Sequence, residues 1–109
     1  MKGMLNEVRM IGVVIKKPAL KYHGNGTPVA MTTIGCRRGD AKGRMGGVDY
    51  FHIVTWDAVA EKLAAAEEGS VIMIKGRLQN HKFMDADGNA RTIPEIAVAE
   101  LTVVGKTCE

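Results

Sequence analysis

The sequence predicts an all-β domain, in which five strands close a small barrel and one helix lies between the third and the fourth strand. Segments rich in β-branched residues recur along the 109 residues, and turns that contain glycine or proline separate them. One alanine-rich stretch, at 58–68, has the pattern of a helix. The length allows one domain, and a hydrophobic fraction of 46% is ordinary for a globular protein with its own core.

A proline and a glycine-rich turn separate the first two strands. Strand one covers residues 4–15, and Gly12 within it predicts a bulge or a sharp bend. Pro18 ends this region, because proline cannot donate a hydrogen bond to a central ladder. The turn at 22–28, which contains Asn-Gly, precedes strand two at 29–36.

A basic, glycine-rich segment at 37–47 comes next, and its scarcity of apolar residues predicts a mobile loop. Strand three, at 48–56, is the clearest strand by propensity. Asp57 is expected to cap the helix at 58–68, because a carboxylate can accept the unpaired amide protons of the first turn. Gly69 is expected to end it. The apolar stripe of the helix consists of Val59, Leu63 and Ala66.

The last two strands form a long hairpin. Residues 71–80 alternate between an apolar face and a face of cationic and amide side chains, which indicates a sheet with one side in water. Residues 85–88 form the hairpin tip, and strand five covers 91–104. Three strands, a short helix and a long hairpin are the order of an OB-fold, a partly open Greek-key barrel.

Composition and charge narrow the class of protein. The formal net charge of +3 permits an anionic partner. No apolar run approaches the roughly 20 residues that a membrane span needs, and the first residues alternate too soon for a signal peptide. Cys36 and Cys108 have no CxxC spacing, which fits an intracellular chain. We therefore expect a soluble, cytoplasmic protein that makes no membrane contact.

Catalytic and metal sites are not indicated. His23, His52, His81 and Cys36 lack the spacing of metal ligands. No serine, cysteine or lysine nucleophile has both a base and an orienting partner in the pattern. The sequence predicts no metal, no cofactor and no enzymatic activity.

Rings and cations are expected to share one face of the barrel. Tyr50, His52 and Trp56 have the same parity in strand three. A ring can stack on an unpaired base, which contributes roughly 1–3 kcal/mol per base, and a cation can bind a phosphate. The mixture therefore points to single-stranded nucleic acid. The other candidates lie on strand four, on the hairpin and in the basic loop: Lys75, Arg77, His81, Lys82, Phe83, Arg37, Arg38 and Arg44.

Two alternatives stay open at this point. Aromatic residues in strands are usually core residues, so Tyr50 and Trp56 could instead fill the barrel. If Phe51 and Ile53 point inward, however, alternation places Tyr50 and Trp56 outside. The basic loop could instead be a solvated segment without a ligand, as charged glycine-rich loops usually are.

Several short segments, in order and at matching spacing, resemble bacterial single-stranded DNA-binding proteins. The likeness extends from about Leu5 to Val104, which is nearly the whole chain. Each segment is a loose match alone, whereas the ordered set is specific. The segments are residues 6–12 (NEVRMIG), 17–22 (KPALKY), 26–30 (GTPVA), 56–61 (WDAVAE), 75–79 (KGRLQ) and 87–88 (DG).

The resemblance implies an OB-fold that assembles as a homo-oligomer, commonly a tetramer and alternatively a dimer, and wraps single strands of DNA. It implies stacking roles for Tyr50, Trp56 and Phe83 and places Phe51 near the subunit interface. The segment 37–40 has no aromatic residue where the family often has one. The polar and basic contacts that the resemblance implies are His52, Arg77, His81 and Lys82.

We therefore expect a domain at 1–105 that binds and protects single-stranded DNA, whatever its sequence, in replication, recombination or repair. Residues 106–109 form a short end without the acidic tail that family members typically carry, so recruitment of other proteins through a tail is not expected. The alternative is an OB-fold subunit of a replication-restart (primosome) assembly, with weak DNA binding. Single-stranded RNA offers the same chemistry as a ligand, and the choice stays open.

Overall fold

The chain folds into six strands and one helix over the residues that the computed structural model describes, which are 3–39, 42–43 and 45–106. Strands dominate, as the all-β prediction requires. The elements in chain order are β1 (Val8–Val14), β2 (Ala19–Tyr22), β3 (Pro28–Gly39), β4 (Met45–Trp56), α1 (Asp57–Ala64), β5 (Ser70–Met84) and β6 (Ala90–Lys106).

Five of these strands close a barrel in the order β1-β5-β6-β4-β3. β3 returns to β1 through the pairs Val13–Gly35 and Val14–Ile34, which complete the ring. The neighbouring strands are antiparallel except for β4 and β6, which run parallel. β2 is an additional strand that pairs with the first residues of β3, on the same edge that meets β1 further along. Without β2, the barrel has five strands, and α1 lies between the third and the fourth of them. The predicted five-stranded OB-fold is confirmed.

The barrel interior is filled by β-branched side chains from all five of its strands, and α1 covers it on one side. Ala60 and Leu63 of α1 are fully buried, Ala66 is nearly so, and Val59 packs at the edge of the same cluster. The predicted apolar stripe is therefore confirmed for Val59 and Leu63, whereas Ala66 is buried beyond the end of the helix. Burial of each large aliphatic side chain contributes about 1.5–3 kcal/mol to folding. The largest fully buried aliphatic side chains are Ile34, Ile53, Leu63, Ile72, Ile74, Ile96 and Val14.

Gly12 serves the closure of the barrel. Of the bulge or sharp bend predicted at this position, the bulge is not found, because β1 keeps a continuous register with β5 from Val8 to Val13. A Cβ atom at Gly12 would lie 3.0 Å from the carbonyl oxygen of Gly35 and 3.2 Å from Cδ1 of Ile34. The glycine thus allows β3 to approach β1 closely where the two strands meet.

The start of α1 differs from the prediction. The helix begins at Asp57 itself, the N-cap residue is Trp56, and no side-chain hydrogen bond caps this end. Asp57 has a φ of +55°, in the left-handed region. Aspartate is one of the few residue types that tolerate this region, because its short polar side chain can bond locally.

The helix also ends earlier than predicted, at Ala64. The Nζ atom of Lys17 donates hydrogen bonds of 3.1 Å to the carbonyl oxygens of Ala64 and Ala66, which satisfies acceptors that the last turn leaves unpaired. Gly69, with a φ of +89°, lies in the following turn and leads into β5. Its predicted role as the helix stop is therefore wrong.

Much of the predicted basic loop at 37–47 is strand, because β3 continues to Gly39 and β4 begins at Met45. Arg38 and Asp49 form an ion pair across the two strands, with Nε donating to Oδ2 at 3.1 Å. This hydrogen bond, above all other causes, holds the pKa of the Asp49 carboxyl below its usual range. Backbone pairing between the strands and the ion pair stabilise this segment, which has few apolar residues to bury. Residues 40, 41 and 44 lie outside the described ranges.

The β5–β6 hairpin turns at the predicted tip. Oδ1 of Asp85 accepts hydrogen bonds of 2.9 Å from the backbone amides of Asp87 and Asn89, and Oδ2 accepts one of 2.7 Å from Nε of Arg91. Gly88 provides the left-handed residue of the turn, with a φ of +83°. In the described ranges, no helix has the length and the apolar character that crossing a membrane requires.

Candidate nucleic-acid interface

One outer surface of the barrel runs across four hydrogen-bonded strands in the order β3-β4-β6-β5, and we call it the open face. Side chains alternate along each strand, so every second residue belongs to this face. The face consists of the outward side chains of β3 from Val29 to Arg37, β4 from Tyr50 to Trp56, β6 from Arg91 to Ala97 and β5 from Arg77 to Phe83.

Alternation along β4 decides where its aromatic side chains point. Ile53 and Thr55 are fully buried, and Phe51 packs against the same core. Tyr50 is 62% exposed and Trp56 is 37% exposed on the opposite side of the strand. The alternative that these two rings fill the barrel is therefore wrong.

A small apolar floor lies between the rings. Val29, Val54 and Ala97 are buried and form a cluster separate from the barrel core, with Met31 packed against it. The register explains the cluster, because Val54 is opposite Met31 on β3 and opposite Ala97 on β6. This cluster therefore packs between the exposed rings and leaves little apolar surface of its own at the open face.

The β5 side of the open face continues the same row. Arg77 is opposite Ala97, and Phe83, which is 39% exposed, lies further along the strand with the same parity. The rings of His81 and Phe83 are stacked, with their centroids 6.0 Å apart and an angle of 18° between their planes. Rings at both ends of the face and cations beside them thus suit a chain of unpaired nucleotides.

A polar cluster sits between β4 and β5 on this face. Glu95 of β6 is only 6% exposed, and its Oε1 accepts a hydrogen bond of 2.8 Å from Nε2 of Gln79. Nε2 of His52 lies 3.8 Å from Oε2, and Nδ1 of His81 lies 4.0 Å from Oε1. The structure thereby brings together two of the predicted contact residues, His52 and His81, around a carboxylate.

Some predicted site residues lie away from the centre of the open face. Nζ of Lys75 is 3.7 Å from Oε2 of Glu100, in a part of the barrel where β5 pairs with β1. Lys82 alternates to the side of the hairpin opposite Phe83.

The predicted cations near the end of β3 lie on different sides of the sheet. Arg38 is paired with Asp49 on the side away from the open face, whereas Arg37 has the parity of the open face and lies opposite Val48. Arg44 lies outside the described residues.

A model of the single-strand binding protein family matches residues 5–104. The chain belongs to the single-strand binding protein family. The resemblance inferred from the ordered segments is thereby confirmed, and the match covers the barrel, the helix and the hairpin together.

Curated relatives of this family member are named single-stranded DNA-binding proteins. One from Deinococcus radiodurans is 29% identical over an alignment of 109 positions, which covers 97% of this chain and 36% of the relative. Single-stranded DNA-binding protein 3 of Clostridium acetobutylicum is 33% identical over 99 residues, or 89% and 69% of the two chains. Single-stranded DNA-binding protein B of Bacillus subtilis is 31% identical over 88 residues, or 78% and 77%. The chain thus spans about a third of the Deinococcus relative and about three quarters of the Bacillus one.

Sequence reasoning missed Glu95 and Gln79 in this family member. The available signal was a single carboxylate inside the otherwise apolar run at 93–98. Its partners lie on two other strands, and only the closed barrel brings them within reach. Among the described residues, no group of three or more histidine, cysteine, aspartate or glutamate side chains is arranged to hold a metal ion.

Proposed function

We propose that this chain binds single-stranded DNA on the open face, in the cytoplasm, without regard to base sequence and without catalysing a reaction. The observation that carries the proposal is the exposure of Tyr50, Trp56 and Phe83 on one continuous surface with cations beside them. The family of the chain and the names of its relatives support the same ligand. No observation favours the alternative of a primosome subunit.

The geometry explains why the strand should be single. In a duplex the bases already stack on one another, so exposed rings have no base to contact. In a single strand each ring can stack on one base, which contributes roughly 1–3 kcal/mol. Arg37 and Arg77 have the parity of the open face, and phosphate binding by them would release counterions, so we expect the affinity to depend on salt.

A titration against single-stranded and duplex DNA tests this function. Labelled oligo-dT and a duplex of equal length are titrated with the protein, and binding is followed by fluorescence anisotropy and by the emission of Trp56. We expect tighter binding of oligo-dT and partial quenching of Trp56, since a stacked base contacts its ring. Equal or tighter binding of the duplex, or unchanged emission at saturation, contradicts the proposal.

The salt dependence separates cations on the open face from those elsewhere. Arg77→Gln should weaken binding and reduce the slope of log affinity against log salt by about 0.7, the value for one phosphate contact on a single strand. Arg38→Gln is the matched control, because Arg38 pairs with Asp49 on the other side of β3. If the two variants change the slope equally, the open face is not the site.

We also propose that the chain forms a homo-oligomer, with a tetramer favoured and a dimer as the alternative. Ile11 and Met73 are opposite one another on β1 and β5, and both expose apolar surface, as does Val103 of β6. Among the described residues, β1 pairs with β3 only at Val13 and Val14, which leaves much of that edge without a partner strand. Sedimentation should show a multiple of the monomer mass, and Met73→Glu should lower it. A monomer at all concentrations contradicts this proposal without affecting DNA binding.

A further inference from the structure

The carboxylate of Glu95 is unusual because it is buried on a surface that is expected to bind an anion. Ionised carboxylates are rarely buried unless they are paired. The contacts that the structure gives Glu95 are one amide hydrogen bond, from Gln79, and two imidazole nitrogens, from His52 and His81. The two imidazoles lie 3.8 Å and 4.0 Å from different oxygens of the same carboxylate, so one side chain faces both rings on the open face.

The charge of this cluster depends on protons. Each histidine is charged only when it is protonated, and histidine is the side chain whose charge ordinarily changes between pH 5 and 8. When both imidazoles are neutral, an ionised Glu95 gives the cluster one negative charge, which repels a phosphate. With both protonated, the cluster carries a net positive charge and offers N–H donors to a phosphate.

The remaining charged groups on these strands do not share this behaviour. Arginine, lysine, tyrosine, aspartate and glutamate side chains ordinarily titrate outside the range of pH 5 to 8. The arginine nearest the hairpin tip, Arg91, is also paired with Asp85. The other charged or titratable side chains on this side of β3, β4, β5 and β6 are Arg37, Tyr50, Lys75, Arg77, Arg91 and Glu100.

We propose that His52, His81 and Glu95 form a proton-linked element of the nucleic-acid interface, in which Glu95 positions the two imidazoles and binding of single-stranded DNA takes up protons. The inference rests on the proposed function. It assigns Glu95 the role of a positioning residue, and it makes the affinity for single-stranded DNA rise as the pH falls from 8 to 6. One charge-assisted hydrogen bond to a phosphate corresponds to about a tenfold gain in affinity.

The test measures the affinity for labelled oligo-dT at pH 8, 7 and 6 at constant ionic strength, with circular dichroism to check the fold at each pH. The wild-type protein should bind about tenfold more tightly at pH 6 than at pH 8. The double variant His52→Gln/His81→Gln should bind equally at all three pH values. His23→Gln is the matched control, because His23 lies in the turn before β3 and off the open face, and it should keep the wild-type pH dependence. His81→Gln alone, on a half-exposed ring, should reduce the gain if the double variant does not fold.

Glu95→Gln distinguishes positioning from a merely structural role. The variant keeps an oxygen to accept the hydrogen bond from Gln79 but removes the charge that holds the protonated imidazoles. We expect binding at pH 8 at least as tight as wild type and a smaller gain at pH 6. A uniform loss of affinity at every pH overturns the positioning role.

The remaining outcomes are also decisive. Tight binding that does not change with pH, or a pH dependence that persists in the double variant, overturns this inference and leaves the proposed function intact. The absence of binding at every pH contradicts the proposed function itself.

Discussion

Trp56 lies at the junction of two elements, β4 and α1, and the backbone of both fixes its position. It ends β4 opposite Val29 of β3, and it is also the N-cap residue of α1. The next residue, Asp57, turns the chain into the helix with a φ of +55°. The orientation of the Trp56 ring therefore depends on one residue in a conformation that few side chains tolerate.

Substitution of Asp57 tests this dependence. Asp57→Val should lower the free energy of unfolding by about 1–2 kcal/mol, because a β-branched side chain clashes in the left-handed region. Asp57→Gly should not be destabilised in this way, since glycine adopts that φ readily. Ala58→Val, one residue further into the helix, is the control and should lose no more than about 0.7 kcal/mol. Equal losses for the two valine variants, in urea unfolding, would show that the left-handed conformation at position 57 is not required.

At the scale of the elements, the pairing of β5 with β6 is irregular at the point where β5 enters the open face. Lys75 is opposite Glu100 whereas Gly76 is opposite Val98, so Ala99 has no counterpart on β5. This irregularity lies directly before Arg77, the first residue of β5 on the open face. Any change in the spacing of the two strands here should therefore displace Arg77 and the residues of β5 that follow it on the open face.

Gly76→Ala is the sharpest test of this pairing. A Cβ atom at Gly76 would overlap the carbonyl oxygen of Ala97 and lie 2.9 Å from its carbonyl carbon, so the strands must separate. We expect a loss of about 1–3 kcal/mol in the free energy of unfolding, the usual effect of overpacking. Gly105→Ala on β6 meets nothing within 4 Å and should change stability by no more than about 0.5 kcal/mol. Thermal unfolding of both variants measures the difference. Equal stability of the two would contradict the close contact between Gly76 and the backbone of Ala97.

The hairpin tip should show an acid-dependent contribution. The hydrogen bond from Arg91, aided by backbone amides, lowers the pKa of Asp85. The stabilisation is therefore fully present above the ordinary pKa of an aspartate, about 3.9, and is lost as the pH falls through the lowered value of the folded protein. Asp85→Asn keeps the oxygen that accepts the amide hydrogen bonds and loses the charge. Its deficit in urea unfolding should be small, visible at pH 7 and progressively smaller as the pH falls below 4; a deficit that does not shrink in acid contradicts this explanation.

The elements that the sequence predicted well are those with a clear alternation. In β4, the inward Ile53 and the outward Tyr50 follow from period two, and the structure has both as expected. β2 was missed because all four of its residues are exposed, so no buried face marks it as a strand. The ends of β3 and β4 were predicted as a loop because cross-strand pairing, including Arg38 with Asp49, stabilises them in place of apolar residues.

At the scale of the whole molecule, the barrel holds distant segments at fixed separations on one surface. The order of strands and helix was predictable from local patterns, and so was the outward direction of the rings of β4. The cluster around Glu95 was not predictable, since its partners come together only when β4, β5 and β6 close the barrel. The rigid core of isoleucine and valine side chains therefore serves to align rings and cations that lie far apart in the chain.

The measurement that tests this account most directly is the affinity of ring-truncated variants for labelled oligo-dT, followed by anisotropy. Trp56→Ala and Phe83→Ala should each weaken binding by about 5- to 150-fold, because each loses one stacked base. Met84→Ala is the matched control, since Met84 is 66% exposed beside Phe83 but alternates to the other side of the hairpin, and it should bind as the wild type does. Folded ring variants that bind as tightly as Met84→Ala would contradict the account.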